Sequence, residues 1–145
     1  MTPDELKTLI ASDAEATRLA NSGAADLCAA RCKAIAPHVP VETRLTELSI
    51  LNIYTDPEDA EAVLSQVETV SNANPVVRRV LKWLQPGAPG VDFGDARVRS
   101  LLTAPVSRGG IGLTDKQAAP LLQASSAPPT ITGEDVSTAW PYTGQ

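Results

Sequence analysis

Apolar residues recur every three or four positions over most of the chain, and a helix-capping signal precedes nearly every such stretch. The clearest signal is Asp56-Pro57, where a capping carboxylate and a first-turn proline stand before an apolar stripe. The stripe has the i, i+3, i+4, i+7 spacing of one helical face, and its members are Ala60, Val63, Leu64, Val67 and Val70. Asn74-Pro75 begins a second stretch, whose predicted inward residues are Val76, Val77, Val80, Leu81 and Leu84. Together the two stretches predict a central helical hairpin over residues 57–85.

Similar signals along the rest of the chain predict further short helices. They stand at residues 2–5, 12–15, 92–95, 114–117 and 132–135, and an Ala-rich helix is predicted over 24–36. Residues 44–54 are apolar, which predicts a buried helix, but they are β-branched enough to leave a strand open. The pattern therefore predicts an all-α fold of about seven or eight short helices.

One domain boundary is expected near the C-terminus. Residues 1–125 are predicted to form one compact helical domain, and residues 126–145 hold a Pro/Ser linker, a short helix and a tail. We expect this last segment to be an arm that orders on assembly, so that its deletion leaves the helical core folded.

Composition favours helices and argues against a membrane-spanning protein. Hydrophobic residues make up 43% of the chain but aromatic residues only 3%, so the apolar mass is small and aliphatic. Such residues favour close-packed helices over sheets. No apolar run is long enough for a membrane span, and residues 1–5 lack the layout of a signal peptide. We expect a protein that is made inside the cell and has no signal peptide and no transmembrane segment.

Charge is unevenly distributed along the sequence. The formal net charge is −5, which argues against a generic nucleic-acid binder. Residues 1–74 hold five basic and twelve acidic residues, for a net of −7, whereas residues 75–110 hold six basic and two acidic residues, for a net of +4. These regions are either solvated helix faces or complementary surfaces that meet on neighbouring subunits.

Cys28, Cys32 and His38 are the residues that come nearest to a metal site. The two cysteines lie one helical turn apart, and with the histidine they could bind zinc, but a fourth ligand is not evident. Buried small residues on an Ala-rich helix are the favoured interpretation of the cysteines, and an intersubunit disulfide is the other alternative. We predict that His38 is an exposed loop residue. No catalytic, cofactor-binding or metal-binding residue is predicted.

The tripeptide Asp92-Phe93-Gly94 matches the metal-binding motif of kinases. The other kinase elements, including a Gly-rich phosphate loop, do not accompany it. We therefore interpret the match as coincidence and predict that Phe93 plugs the core.

A basic strip beside a tryptophan is the candidate partner site. If Trp83 is exposed, it and the adjacent cations form a plausible anchor, because Trp and Arg are frequent interface hot spots. If it is buried, which is the favoured interpretation, it is the largest core residue of the hairpin. The candidate partner-binding residues, including two aromatic residues of the tail, are Arg78, Arg79, Lys82, Trp83, Trp140 and Tyr142.

The sequence resembles small helical proteins encoded among the structural genes of tailed bacteriophages. The resemblance is carried by residues 1–6, 74–84, 91–95 and 131–136. It implies a virion component of the head, neck or tail, or an assembly factor, whose partners are itself and other virion proteins. No cofactor, nucleic acid, membrane or small-molecule substrate is expected.

The alternative is a soluble adaptor or regulatory helical domain that binds a single protein partner. In that case Arg78, Arg79, Lys82 and Trp83 would supply the binding face. An enzyme would require catalytic groups brought together from distant helices.

Overall fold

The computed structural model describes residues 1–144 and is mainly helical, as predicted. The helices are α1 (Pro3–Ala11), α2 (Ala14–Asn21), α3 (Ala25–Ile35), α4 (Glu47–Ile53), α5 (Pro57–Ser71), α6 (Pro75–Leu84), α7 (Ala96–Thr103), α8 (Asp115–Ala124) and α9 (Gly133–Ala139). The two-residue strands are β1 (Val39–Pro40), β2 (Arg44–Leu45), β3 (Val91–Asp92) and β4 (Ser126–Ala127), and a single 3-10 turn spans Val106–Arg108. Within these residues no helix has both the length and the apolar character that a membrane crossing requires.

The described residues form nine helices rather than seven or eight. Seven of them begin at a side-chain cap, and α3 and α4 begin without one. The side chains of Asp56 and Asn74 accept hydrogen bonds from the first free backbone N–H groups of α5 and α6, as the sequence predicted. Thr114 and Gln117 form a reciprocal capping box at the start of α8. Local capping chemistry therefore sets most of the helix boundaries.

Residues 44–54 contain both of the alternatives that the sequence left open. Arg44 and Leu45 form strand β2, which pairs antiparallel with β3 so that Arg44 faces Asp92 and Leu45 faces Val91. Thr46 has extended backbone angles, and α4 begins directly after it. The short β2–β3 ribbon was not predicted, because its partner strand lies about fifty residues away and leaves no local pattern.

The described chain separates into two compact units. Within the described residues, unit 1 comprises residues 1–39 and 128–144, and unit 2 comprises residues 40–127. This division differs from the expected boundary at residue 125. The segment expected to be an arm contributes α9, which packs against α1 and α3 and buries Ile131, Val136 and Ala139 in the core of unit 1. Ile131 stands directly before Thr132, the N-cap of α9, so its burial adds no periodic signal to the helix.

Unit 1 has a core of small side chains. Around Leu6, Ile10 and Leu19 the buried positions are filled mostly by alanine and cysteine, and they include Ala16, Ala20, Cys28, Ala29, Cys32 and Ala36. Small residues let the four helices α1, α2, α3 and α9 approach closely. Asp13 joins α2 to α3. Its carboxylate caps α2 and also accepts two hydrogen bonds from the Arg31 guanidinium, at 2.9 and 3.0 Å.

Unit 2 is built around the predicted hairpin of α5 and α6. All five apolar residues of the predicted α5 stripe are buried. Phe93 is buried as a core plug, as predicted. The two ends of unit 2 are held together, because the Val41 amide donates to the Ser125 carbonyl at 2.9 Å. Arg99 of α7 reinforces this end by donating to the Ser125 hydroxyl at 2.7 Å.

Candidate functional site

A groove of about 660 Å³ lies between α6 and α7 in unit 2. Strands β2 and β3 supply the residues that join its two helical walls. Its lining comprises Arg44, Val76, Arg79, Val80, Trp83, Gly90, Val91, Asp92, Asp95, Arg97, Val98 and Leu101. Two of the predicted partner-binding residues, Arg79 and Trp83, are therefore brought together here.

The apolar part of the groove includes two side chains that the sequence placed in the core. Trp83 is 46% exposed and Val76 is 60% exposed, so the favoured interpretation of Trp83 as a core residue is wrong. The reason is helical geometry. Val76 and Trp83 are seven residues apart and lie on one side of α6, which is rotated by about 100° from the side that carries the buried residues Val77 and Leu84. The same rotation corrects the predicted inward position of Val76.

The charged part of the groove is dominated by arginine. Within residues 1–144, the guanidinium groups of Arg79 and Arg97 have no carboxylate within ion-pair distance and no hydrogen-bond acceptor. Arg44 forms one exposed ion pair with Glu42 at 3.3 Å, a type of contact that contributes little stability. The groove therefore presents cationic groups whose charge is largely uncompensated.

The two carboxylates of the groove are already engaged by the backbone. Asp92 accepts hydrogen bonds from the amides of Thr43 and Gly94, each at 2.9 Å, and these bonds lower the pKa of its carboxyl group. Asp95 caps α7 by accepting from the amides of Arg97 and Val98. Both acids therefore shape the groove wall, and a ligand meets mainly arginine and apolar side chains.

Two further residues of the predicted strip do not line the groove. Arg78 turns towards the end of α5, where it donates to the carbonyls of Ser71 at 3.2 Å and Asn72 at 3.3 Å. It serves as a capping residue, because free carbonyls end a helix and cations are favourable there. Lys82 is exposed on α6 outside the lining.

The two predicted tail residues belong to unit 1 and contact it closely. The indole N–H of Trp140 donates to the side-chain oxygen of Asn21 at 2.9 Å. The ring of Tyr142 covers Gly23, where an added Cβ would lie 3.1 Å from the ring. Gly23 has φ +79°, so glycine suits this turn on both counts. These aromatic residues close the turn after α2, although Tyr142 remains more than half exposed.

Cys28 and Cys32 are fully buried free cysteines, as the favoured interpretation predicted, and His38 is exposed as expected. Burial raises the pKa of both thiols, to about 12 for Cys32, where Cys28 adds to the effect. A thiol with a raised pKa is a weak nucleophile at neutral pH. Their structural role is to fill space between the helices of unit 1.

A second cavity of about 340 Å³ in unit 2 lies beside Tyr54, Lys116 and Pro120. The Tyr54 hydroxyl donates to the Gln117 carbonyl near the proline inside α8, and burial raises the Tyr54 pKa to about 12. This hydroxyl therefore anchors Tyr54 to the backbone of α8, which contains Pro120.

Several groove residues were missed by sequence reasoning, namely Arg44, Arg97, Val98 and Leu101. The net charge of +4 over residues 75–110 pointed to the right region, but the capping and stripe patterns assigned these residues only to separate elements. Comparison with family models, with curated proteins and with solved structures found no match. The function is therefore inferred from the groove's own chemistry.

Proposed function

We propose that this chain is a structural or assembly protein, a virion component of the phage class that its sequence resembles, and that it acts through protein–protein contacts. The observation that carries the proposal is the groove of unit 2, which combines an exposed tryptophan with uncompensated arginines. Tryptophan and arginine are the residues most enriched at interface hot spots.

The groove's chemistry indicates the kind of protein segment that it receives. Trp83, Val98 and Leu101 offer apolar surface that a partner can remove from water. Arg79 and Arg97 favour carboxylates near that surface, since arginine binds carboxylates through two parallel hydrogen bonds. We therefore assign the groove to a segment that carries large apolar and acidic side chains together.

A single-partner adaptor is the second candidate, and one observation favours it. All of the groove-lining residues lie in unit 2, so one partner can be held by this unit alone. The stoichiometry of the bound complex separates the candidates, because an adaptor forms a one-to-one complex whereas an assembly protein forms larger, repeating ones.

Selection from a library of random 16-residue peptides tests the proposed role of the groove. We expect selected peptides to combine Asp or Glu with Leu, Ile or Phe at helical spacing. We also expect binding to fall about tenfold or more with the Arg79→Glu/Trp83→Ala variant. The matched control Lys33→Glu/Lys116→Glu reverses two exposed cations outside the groove and should bind normally. Peptides without a shared acidic pattern, or equal binding by the groove variant, would contradict the proposal.

A further inference from the structure

Unit 2 carries opposite charges on successive parts of its sequence. Residues 45–77 hold six acidic residues and no lysine or arginine, whereas residues 78–108 hold six basic and two acidic residues. The first part forms α4 and α5, and the second part supplies the groove. The helices α4 and α5 and the groove-lining segment therefore carry net charges of opposite sign.

The acidic residues of α5 form a stripe on its exposed side. Glu58, Glu61 and Glu68 are spaced by three and seven residues, which places them on one side of a helix. The buried residues Ala60, Val63, Leu64, Val67 and Val70 occupy the other side. Among residues 1–144 these three glutamates have no basic partner within ion-pair distance.

Exposed leucines lie on the neighbouring helix. Helix α4 packs against α5 and leaves Leu48 68% exposed and Leu51 38% exposed. These leucines are one turn apart, so they share a side of α4. The two leucines and the three stripe glutamates are exposed on two helices that pack together, and we call this set of residues the acidic face. It offers both chemistries that the groove receives, large apolar side chains and unpaired carboxylates.

We propose, on the basis of the function proposed above, that the occupant of the groove is the acidic face of a second copy of this chain. None of the acidic-face residues lines the groove of its own chain. A second copy would supply the carboxylates that Arg79 and Arg97 lack. Complementary charge would fix the orientation of the two copies, while Trp83 and the exposed leucines would exclude water.

This contact joins two different surfaces. Each copy therefore contributes its groove to one contact and its acidic face to another. Such an arrangement closes as a symmetric pair when both contacts form between the same two copies, and as a ring when they form between successive ones. Either closed assembly has a defined mass that exceeds that of one chain, 15.2 kDa.

Light scattering on the full chain, together with two charge-reversed variants, tests the proposal. The groove variant is Arg79→Glu/Arg97→Glu, and the acidic-face variant is Glu58→Lys/Glu61→Lys. We expect wild-type protein to form a defined oligomer at low salt that weakens at high salt, because the contact is partly electrostatic. Each variant alone should associate about tenfold or more weakly. An equimolar mixture of the two should recover the oligomer, because every contact between unlike copies is again complementary.

The control variant Lys33→Glu/Lys116→Glu carries the same charge change as the groove variant, and it should keep the wild-type mass. Circular dichroism of each variant establishes that its helices are intact. A wild-type chain that stays monomeric at low salt, or variants that fail to recover the oligomer when mixed, would overturn the self-association. Those outcomes leave the peptide selection unaffected, so the failure of this inference is distinguishable from the failure of the proposed function.

Discussion

Units 1 and 2 build their cores from different side chains, and the groove proposed to bind a partner lies in unit 2. Unit 1 closes its core with alanine and cysteine and needs chain from both ends of the sequence. Unit 2 is continuous, has a core of larger aliphatic residues, and leaves an exposed tryptophan in a groove. The aromatic residues show the contrast most directly. Trp140 is hydrogen-bonded within unit 1, whereas Trp83 is open to a partner.

Removing residues 128–145 should have the largest effect, and it should fall on unit 1 alone. The truncation deletes three core residues of unit 1, among which loss of the Ile131 side chain alone should cost about 2–5 kcal/mol. We expect unit 1 to unfold and unit 2 to stay folded. Both cysteines lie in unit 1, so the rate of thiol labelling reports on that unit alone. Fast labelling is expected in the truncated chain and slow labelling in a chain that ends at Tyr142. Protected thiols in the truncated chain would restore the interpretation of this segment as an arm.

Gly110→Ala should do the reverse and loosen unit 2. An added Cβ would lie 2.0 Å from the Ala104 carbonyl oxygen, a backbone atom, so we expect destabilisation of about 3 kcal/mol. Gly87→Ala is the control, because its Cβ meets nothing within 4 Å and only the positive φ costs about 1 kcal/mol.

Hydrogen exchange resolved by peptide is the measurement for this glycine pair. Peptides from α5 and α6 should exchange faster in Gly110→Ala, while thiol labelling of unit 1 stays slow. Equal effects of the two substitutions would show that the close approach of Gly110 to Ala104 does not contribute to the stability of unit 2.

Arg78 and Arg79 are adjacent on α6, but their removal should affect the free energy of unfolding differently. Arg78→Ala should lower the free energy of unfolding by about 1 kcal/mol, because it removes two hydrogen bonds at the end of α5. Arg79→Ala should change it by no more than about 0.5 kcal/mol, since its guanidinium faces the groove. Denaturant unfolding measures both values. A larger stability loss for Arg79→Ala would mean that the groove arginines are structural.

The smallest expected effect is the acid dependence that Asp13 gives to unit 1. The Arg31 guanidinium and the Ala16 amide lower the pKa of Asp13 from its ordinary value of 3.8 to about 2. Its contribution is fully present above the ordinary pKa and is lost as the pH falls from about 4 through about 2.

Asp13→Asn supplies the matched comparison, because asparagine can still cap α2 but cannot pair with Arg31. Labelling of the cysteines with a pyridyl disulfide, which reacts at acid pH, should rise less steeply below pH 4 in this variant than in wild type. Identical pH profiles would show that the ionised Asp13 carboxylate does not stabilise unit 1.

The sequence predicted the helices well because their signals are local. Asp56, Asn74 and Thr114 each combine a cap with an apolar stripe, and these signals survive in the structure. It predicted the groove only in part. Arg79 and Trp83 were identified together, but Arg97 and Leu101 come from another helix, and only tertiary packing brings them to the same groove. The membership of α9 in unit 1 also depends on contacts between distant parts of the chain, which no local pattern encodes.

In the proposed assembly Trp83 lies at a contact between copies, whereas Trp140 is internal to unit 1. The two indole N–H signals in a nitrogen-15 NMR spectrum measure this directly, and a Trp140→Phe sample assigns them. Over a dilution series at low salt, the Trp83 signal should shift with protein concentration and the Trp140 signal should stay fixed. High salt should move the Trp83 signal to its dilute position. A Trp83 signal that is independent of concentration, or a shift of Trp140 alone, would contradict the account.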